Sequence, residues 1–101
     1  MVVLCTCSDQ PEALRIANAL IEGRLAACVN VLPPIQSIYR WEENIETAQE
    51  ILLLIKTTAQ AFSAVQKRIV ELHSYDTPEI IAMPVTTGSE KYLAWLQAQV
   101  S

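Results

Sequence analysis

The sequence predicts an α+β domain in which the strands form one antiparallel sheet. Short runs rich in β-branched and other apolar residues alternate with stretches whose apolar residues recur every three or four positions. These stretches follow the order β-α-β-β-α-β, with one further helix at the end. At 101 residues, the chain is expected to form a single domain over residues 1–101.

The first half of the chain predicts a strand, a helix and a second strand. Val2 to Cys7 is short, β-rich and followed by polar residues, which is typical of a strand. Asp9 and Glu12 form a capping-box pattern that begins a helix, and Glu12 is expected on its polar face. Gly23 predicts the end of this helix in a left-handed conformation. A second strand is expected over 25–32.

The second half resumes the second strand and then predicts two more strands and two more helices. After the interruption at Pro33-Pro34, we expect extended structure to resume over 35–42, followed by a turn at Glu43 and Asn44 and a strand over 45–57. A helix capped by Thr58, a strand over 80–85 and a last helix opening at Gly88 and Ser89 complete the chain. The complete order is the split βαβ, ferredoxin-like arrangement, in which helices cover one face of an antiparallel sheet.

The composition of the strands predicts an oligomer. A sheet with one face in solvent alternates apolar and polar residues, but the runs 51–55 and 80–83 are apolar on both faces. We therefore expect the second face to be buried against other subunits. A strand over 45–57 would span roughly 43 Å at about 3.3 Å per residue, so its distal part is expected to pair with a neighbouring subunit. The alternative is a monomer capped by the terminal helix.

Composition also argues against several classes of partner. The net charge is −4 and no basic run exists, so no nucleic-acid partner is expected. No apolar stretch approaches the roughly 18 residues of a membrane span, and the N-terminus shows no secretory signal. The three cysteines are an odd number, which argues against a disulfide framework. Reduced thiols favour a cytoplasmic location.

No catalytic constellation is readable, and the chain is not expected to be an enzyme. The only glycines are Gly23 and Gly88, which leaves no glycine-rich phosphate loop. His73 is the only histidine, and no nucleophile stands with it in a recognisable Ser-His-Asp or Cys-His-Asn grouping.

Cysteine and histidine residues are the candidates for metal binding. Cys5 and Cys7 lie two apart on a predicted strand, so their side chains share a face. Thiolates in this arrangement suit monovalent copper or zinc, whereas free cysteines also fill cores as small apolar residues.

His73 directly precedes the last strand, which should lie in the same sheet as the first. Cys5 and His73 are therefore expected to approach each other, within one subunit or across a boundary. The alternative for His73 is an imidazole that faces the helix dipole. Cys28 is expected in the core.

Several segments together resemble the CutA divalent-ion tolerance family. They cover nearly the whole chain and occur in the right order. The segments are Leu4-Cys5-Thr6; Leu25-Ala26-Ala27-Cys28-Val29-Asn30; Ser37-Ile38-Tyr39-Arg40-Trp41; Glu50 with Leu53, Ile55, Lys56 and Thr57; His73 with Tyr75, Thr77, Pro78 and Glu79; and Tyr92-Leu93 with Trp95-Leu96. The resemblance implies a ferredoxin-like subunit and a tight homotrimer joined by intermolecular strands. It also implies a role in copper and divalent-cation tolerance, as a response to metal ions.

The resemblance further implies a copper site. The family's proposed cysteine ligand matches Cys5, and its proposed histidine matches His73. A second histidine that precedes it in some relatives is Leu72 here. Two ligands would remain, unless Cys7 replaces the missing one. With two thiolates and one imidazole, Cu(I) should be favoured over Zn(II), because no fourth ligand is evident.

Three functions stay open on the sequence alone. The first is a metal-binding trimer of cation tolerance. The second is a regulatory trimer that binds a small molecule in inter-subunit clefts lined by Tyr39, Trp41, Glu50 and Lys56. The third, an enzyme, lacks a nucleophile with its base. Tyr39 and Trp41 are two apart on a strand and therefore share the face that we expect to line the cleft.

Overall fold

The computed structural model of the chain describes residues 1–101, which form five strands and three helices. They run in the order β1 (Val2–Cys7), α1 (Gln10–Glu22), β2 (Cys28–Val31), β3 (Ile35–Trp41), β4 (Asn44–Lys56), α2 (Phe62–Leu72), β5 (Ile81–Met83) and α3 (Glu90–Gln99). All strand pairs are antiparallel, which confirms the predicted α+β class and sheet type. None of the helices combines the length and apolar character needed to cross a bilayer.

The long strand β4 organises the sheet. Its C-terminal half pairs with β1 along one edge and with β2 along the other, and β5 adds to the far edge of β1, giving the order β2-β4-β1-β5. Its N-terminal half pairs only with β3, from Ile35 opposite Glu50 to Trp41 opposite Asn44. A single 13-residue strand therefore carries both a four-stranded body and a two-stranded extension. We call the extension, residues 35–50, the hairpin arm.

The core lies between the body of the sheet and the helices α1 and α2. Alternate side chains of β1 and β4 point toward the helices, because successive residues of a strand face opposite ways. The large fully buried apolar side chains of the core are Val3, Cys5 and Cys7 of β1, Leu53 and Ile55 of β4, Ile16 and Leu20 of α1, and Val65 and Ile69 of α2. Both cysteines of β1 thus belong to the helix-covered face of the sheet.

Helix α1 begins and ends close to the predicted points, with two differences. The Asp9 side chain accepts from the Glu12 N–H at 3.0 Å, which confirms the N-cap. At the other end Gly23 has φ −80°, and Arg24, with φ 56°, takes the left-handed conformation instead. Glu12, one of the polar residues of this helix, does not face solvent. This side chain is only 3% exposed, because it turns back into a group of hydrogen-bond donors.

The turn of the hairpin arm lies one residue earlier than predicted. Glu42 and Glu43 form a two-residue loop with φ of 49° and 68°, and Asn44 is already in β4. Two left-handed residues in succession are what a tight type I′ hairpin requires. The usual sequence signal, an Asn-Gly or Asp-Gly pair, is missing here, so the turn was displaced in the prediction.

Three other boundaries differ from the prediction, the first two for local reasons. The strand expected over 25–32 begins only at Cys28, because the N–H groups of residues 25 and 26 still donate to the Leu20 carbonyl at the end of α1. The last strand ends at Met83, before Pro84, which has no N–H to donate. The N-cap of α2 is Ala61 rather than Thr58.

Candidate metal centre

Cys5, Cys7 and His73 lie together within one chain. Their potential ligand atoms, two thiol sulfurs and one imidazole nitrogen, are all within 4.8 Å of one another. The alternation of β1 places both thiols on its buried face, and His73 follows the last turn of α2, where its N–H donates to the Ile69 carbonyl at 2.8 Å. The structure thus joins the two sequence-predicted ligands with the third candidate, and no subunit boundary separates them.

The two thiols sit in a protected environment. Both cysteines have 0% exposure, and the Cys5 sulfur lies 3.9 Å from the Thr6 carbonyl oxygen. A hydrogen bond with Cys7 raises the pKa of Cys5 well above its ordinary range, and burial raises it further. Cys5 is therefore a neutral thiol at pH 7. A metal ion bound here would have to displace the proton, since the thiolate is the ligand form.

Both nitrogens of His73 already have hydrogen-bond partners. Nε2 lies 2.8 Å from the Thr6 carbonyl oxygen, to which it donates. Nδ1 is 3.0 Å from the Tyr75 N–H and 3.1 Å from Oε1 of Glu12. A ring with a bare Nδ1 accepts from Tyr75, whereas a ring with hydrogen on Nδ1 donates to Glu12. A metal ion that binds either nitrogen must therefore replace one of these hydrogen bonds.

The carboxylate of Glu12 is held by a group of donors from two segments. Oε2 accepts from the Ser8 N–H at 3.2 Å, from the Ser8 hydroxyl and from the Ser74 hydroxyl at 3.0 Å, while Oε1 accepts from the Ser74 N–H at 2.7 Å. Burial alone would raise the pKa of Glu12, but the hydrogen bonds from Ser8 and Ser74 outweigh it and lower the pKa to about 2. Glu12 is therefore ionised beside His73 at neutral pH.

The residues around the centre were only partly anticipated. Glu12 was identified as a capping residue, yet its contacts with Ser74 and His73 follow from the tertiary structure. Ser8 and Glu12 lie at the start of α1 and His73 and Ser74 follow the end of α2, so the packing of the two helices brings them together and no local pattern could have shown it. Leu72, at the position of the second histidine of some relatives, is an apolar residue packed against the core.

The predicted cleft residues separate into two places. Tyr39, Trp41 and Glu50 line an open cavity of about 830 Å³ at the base of the hairpin arm. Tyr75 closes one side, and its O–H donates to Oε2 of Glu50 at 2.7 Å. Lys56 does not line this cavity, because it lies at the other end of β4, opposite Val2 and Cys28.

Comparison with known proteins identifies the family. The family model described as CutA1 divalent ion tolerance protein matches residues 1–99. The chain belongs to the CutA1 family. The divalent-cation tolerance protein CutA of Thermus thermophilus is 49% identical over 96 residues, which are 95% of this chain and 93% of that protein. The chloroplastic protein CutA of Arabidopsis thaliana is 40% identical over 97 residues, covering 96% of this chain and 53% of that protein.

The CutA1 fold is also shared in three dimensions. The solved structure of the divalent cation tolerance protein from Thermus thermophilus superimposes with a TM-score of 0.97 at 47% identity, over 99% of this chain and 97% of that one. The elements described above, including the hairpin arm and the terminal helix, thus form the fold of a solved CutA1 structure. The resemblance inferred from the sequence is confirmed at the level of the family.

Proposed function

We propose that this CutA1 protein acts in divalent-cation tolerance as a homotrimer and binds copper, as Cu(I), through Cys5, Cys7 and His73. The observation that carries the copper proposal is the convergence of three soft or borderline ligand atoms within 4.8 Å. Membership of a family described by divalent ion tolerance supports the biological role. The proposed role is binding, and catalysis is no part of it.

The chemistry of the donor set favours monovalent copper. Thiolates are soft ligands that suit Cu(I), and imidazole completes a low-coordinate set. Zn²⁺ in a structural site takes four ligands, and the cluster offers three. Cys7 would stand in for the histidine that Leu72 replaces. When bound, the ion would be held by the chain's thiolates and imidazole, and the surrounding apolar core would restrict the approach of water.

The hairpin arm supports the trimer. Over residues 44–50, the edge of β4 that pairs with β1 in the body has no strand beside it. The arm also exposes large apolar side chains, Ile38 at 70%, Trp41 at 61% and Ile45 at 70%. An unpaired edge next to exposed apolar residues is suited to strand pairing with another copy. The proposal is therefore a ring of three ferredoxin-like subunits that exchange arm contacts, with a continuous sheet across the boundaries.

A cytoplasmic location is the further part of this proposal. All three cysteines are free thiols, as expected of a reducing compartment. One relative is named as chloroplastic, so the compartment differs among family members. Fractionation of the native host cell is the direct test, and recovery of the protein outside the cytoplasmic fraction would contradict it.

A second candidate function has one observation in its favour. The cavity of about 830 Å³ beneath Trp41 and Tyr39 has the size of a small-molecule site. It carries the acidic residues Glu46, Glu50, Asp76 and Glu79 and no basic residue in its lining, which disfavours anionic ligands. The family description names divalent ions, so the metal-binding function is preferred over a regulatory small-molecule site.

The copper proposal is tested by competition with a chromophoric Cu(I) chelator under anaerobic, reducing conditions. We expect one Cu(I) per chain. Cys5→Ser and His73→Ala should each weaken binding by at least about 100-fold, since even the outer partners of metal ligands are worth about 10–100-fold. Affinity should also fall as the pH is lowered, because the thiols must lose their protons.

Cys28→Ser is the matched control for a general thiol effect. Cys28 lies outside the cluster, with its sulfur 3.9 Å from Oδ1 of Asn30, and its replacement should leave the affinity unchanged. Equal losses in Cys5→Ser and Cys28→Ser, or full binding by a Cys5→Ser, His73→Ala double variant, would contradict the site. Sedimentation of the wild type at the mass of a single chain would contradict the trimer.

A further inference from the structure

The buried carboxylate of Glu12 contacts one of the proposed ligands, with Oε1 3.1 Å from Nδ1 of His73. We propose that Glu12 is a positioning residue for the metal centre. It holds Nδ1 of His73 and thereby presents Nε2 to the two thiols as the nitrogen that binds the ion. This inference rests on the proposed copper site, and it deepens that proposal by assigning the tautomer of the ligand and the group that selects it.

The carboxylate is fixed before any metal ion arrives. Glu12 is 3% exposed and accepts hydrogen bonds from the backbone and the side chain of both Ser8 and Ser74. Ser8 lies before α1, whereas Ser74 follows α2, so the carboxylate is tied to both helices that cover the sheet. A group held from two sides has little freedom to move away from its neighbour His73.

The orientation of the imidazole separates its two nitrogens. Nε2 faces the Thr6 carbonyl at 2.8 Å, and the Cys5 sulfur approaches the same carbonyl oxygen at 3.9 Å. Nε2 is thus on the side of the thiols, and Nδ1 is on the side of Glu12. Metal-binding histidines commonly donate their other N–H to a carboxylate, which fixes the tautomer and makes the ligand more basic.

Binding at Nε2 requires an exchange of hydrogen-bond partners. In the structure, Nε2 donates its hydrogen to the Thr6 carbonyl and Nδ1 accepts from the Tyr75 N–H. An ion at Nε2 needs the lone pair of that nitrogen, so the ring hydrogen must stand on Nδ1 instead. Glu12 is already in place to accept it, whereas without Glu12 the Nδ1–H would face only the Tyr75 N–H donor.

Three variants separate positioning from folding. Glu12→Ala removes the acceptor, and Glu12→Gln keeps an acceptor oxygen of similar reach without the charge. Asp9→Ala is the matched control, because it removes the cap of the same helix but makes no hydrogen bond to His73. We expect Cu(I) affinity to fall by about 10–100-fold in Glu12→Ala, by less in Glu12→Gln, and to stay at the wild-type value in Asp9→Ala. If Glu12→Ala does not fold, Glu12→Gln carries the test.

The tautomer is read directly by NMR. His73 is the only histidine, so ¹⁵N-histidine labelling gives a single pair of ring signals. In the wild type, Cu(I) should bring the hydrogen to Nδ1 and shift Nε2 as the metal-bound nitrogen. In the metal-free protein, Glu12→Gln should change the Nδ1 signal and leave Nε2, which bonds to the Thr6 carbonyl, nearly unchanged.

Each outcome has a defined meaning. Wild-type Nδ1 signals and affinity in the Glu12 variants would overturn the positioning role while the copper site stands. An equal loss of affinity in Asp9→Ala would also overturn it, because the effect would then come from the helix end. A wild-type protein that takes no Cu(I) would overturn the proposed function, and the metal role of Glu12 with it.

Discussion

The buried centre and the hairpin arm differ in what a single chain provides for them. Around Cys5, Cys7, Glu12 and His73 the side chains are enclosed, and every buried side-chain nitrogen or oxygen has a hydrogen-bond partner. The arm instead leaves Trp41 and its apolar neighbours largely in solvent. The proposed ligands all come from one subunit, whereas the arm leaves exposed the apolar surface on which the proposed trimer rests.

Metal binding and assembly should therefore be separable properties. All the proposed ligands and their supporting residues come from the body of the fold. Changes in the arm should weaken the proposed trimer without altering the copper affinity. Changes at the centre should lower the copper affinity without altering the trimer. Tyr75 stands between the two regions, since its ring is 4.7 Å from that of His73 and its hydroxyl reaches Glu50 at the base of the arm.

The largest effect is expected from Trp41→Ala. In the single chain Trp41 is 61% exposed, and truncation of such a surface residue usually changes stability by about 0.5 kcal/mol or less. If a partner covers it in a trimer, as we propose, the loss should be about 3–5 kcal/mol. Denaturant unfolding at several protein concentrations measures this loss, and sedimentation measures the weakening of the trimer.

Val70→Ala is the matched control for Trp41→Ala. Val70 is also exposed, at 53%, but it lies on α2, away from the arm. Its replacement should alter stability by no more than about 0.5 kcal/mol. A loss of stability in Trp41→Ala no larger than in this control would contradict the proposed difference between arm and body. A lower copper affinity in Trp41→Ala with an intact trimer would contradict it as well.

An intermediate effect is expected when the buried centre is acidified. The pKa of Glu12 falls from 4.5 to about 2 on folding, so its ionised form contributes stability above pH 4.5. This stability is lost as the pH falls toward 2, and the shift corresponds to about 3 kcal/mol. The free energy of unfolding in urea, measured from pH 5 to pH 2, should show this decline.

Two variants of helix α1 isolate the part due to Glu12. Glu12→Gln should flatten the decline between pH 4.5 and pH 2, whereas Glu22→Gln, an exposed position on the same helix, should keep the wild-type slope. His73, whose Nδ1 faces the carboxylate, is the other titratable group in contact, and Glu12→Gln, His73→Ala shows its share. An unchanged slope in Glu12→Gln would contradict the origin assigned here.

The sequence predicted the features that depend on short-range periodicity and on strand order. The period of two along β1 placed Cys5 and Cys7 on one face, and the pairing of β5 with β1 brought the preceding His73 toward them. The length of β4 was also predicted correctly, since the strand expected over 45–57 is observed over Asn44–Lys56. These inferences succeeded because a strand has only two faces and because neighbouring strands fix the position of the loops that join them.

Features that depend on long-range contacts were not predictable in the same way. Glu12 satisfied a local capping pattern, but its burial depends on Ser74, 62 residues further along the chain. The left-handed residues Arg24, Glu42 and Glu43 are not the glycine or asparagine that usually marks this conformation. Glu12 is buried by tertiary contacts, whereas the left-handed residues are exposed and are set by the end of α1 and by the two-residue loop between the paired strands β3 and β4. A single sequence carries little trace of either.

The smallest effect is expected from Tyr75→Phe, which tests the junction between the two regions. The variant removes the O–H that donates to Glu50 at 2.7 Å and leaves a largely buried carboxyl group without that partner. The loss should be about 1.5–3 kcal/mol, as for other hydrogen bonds to charged groups. Burial, followed by the hydrogen bond to Glu50, raises the pKa of Tyr75, so its hydroxyl remains a donor through the neutral range.

Tyr39→Phe in the same cavity is the control for Tyr75→Phe. Tyr39 is 44% exposed, and this change should lower the free energy of unfolding by no more than about 0.5 kcal/mol. In a Tyr75→Phe, Glu50→Ala double variant the two losses should be less than additive, because both single changes break the same contact. Fully additive losses, or a Tyr75→Phe as mild as Tyr39→Phe, would show that body and arm are not joined through this hydrogen bond.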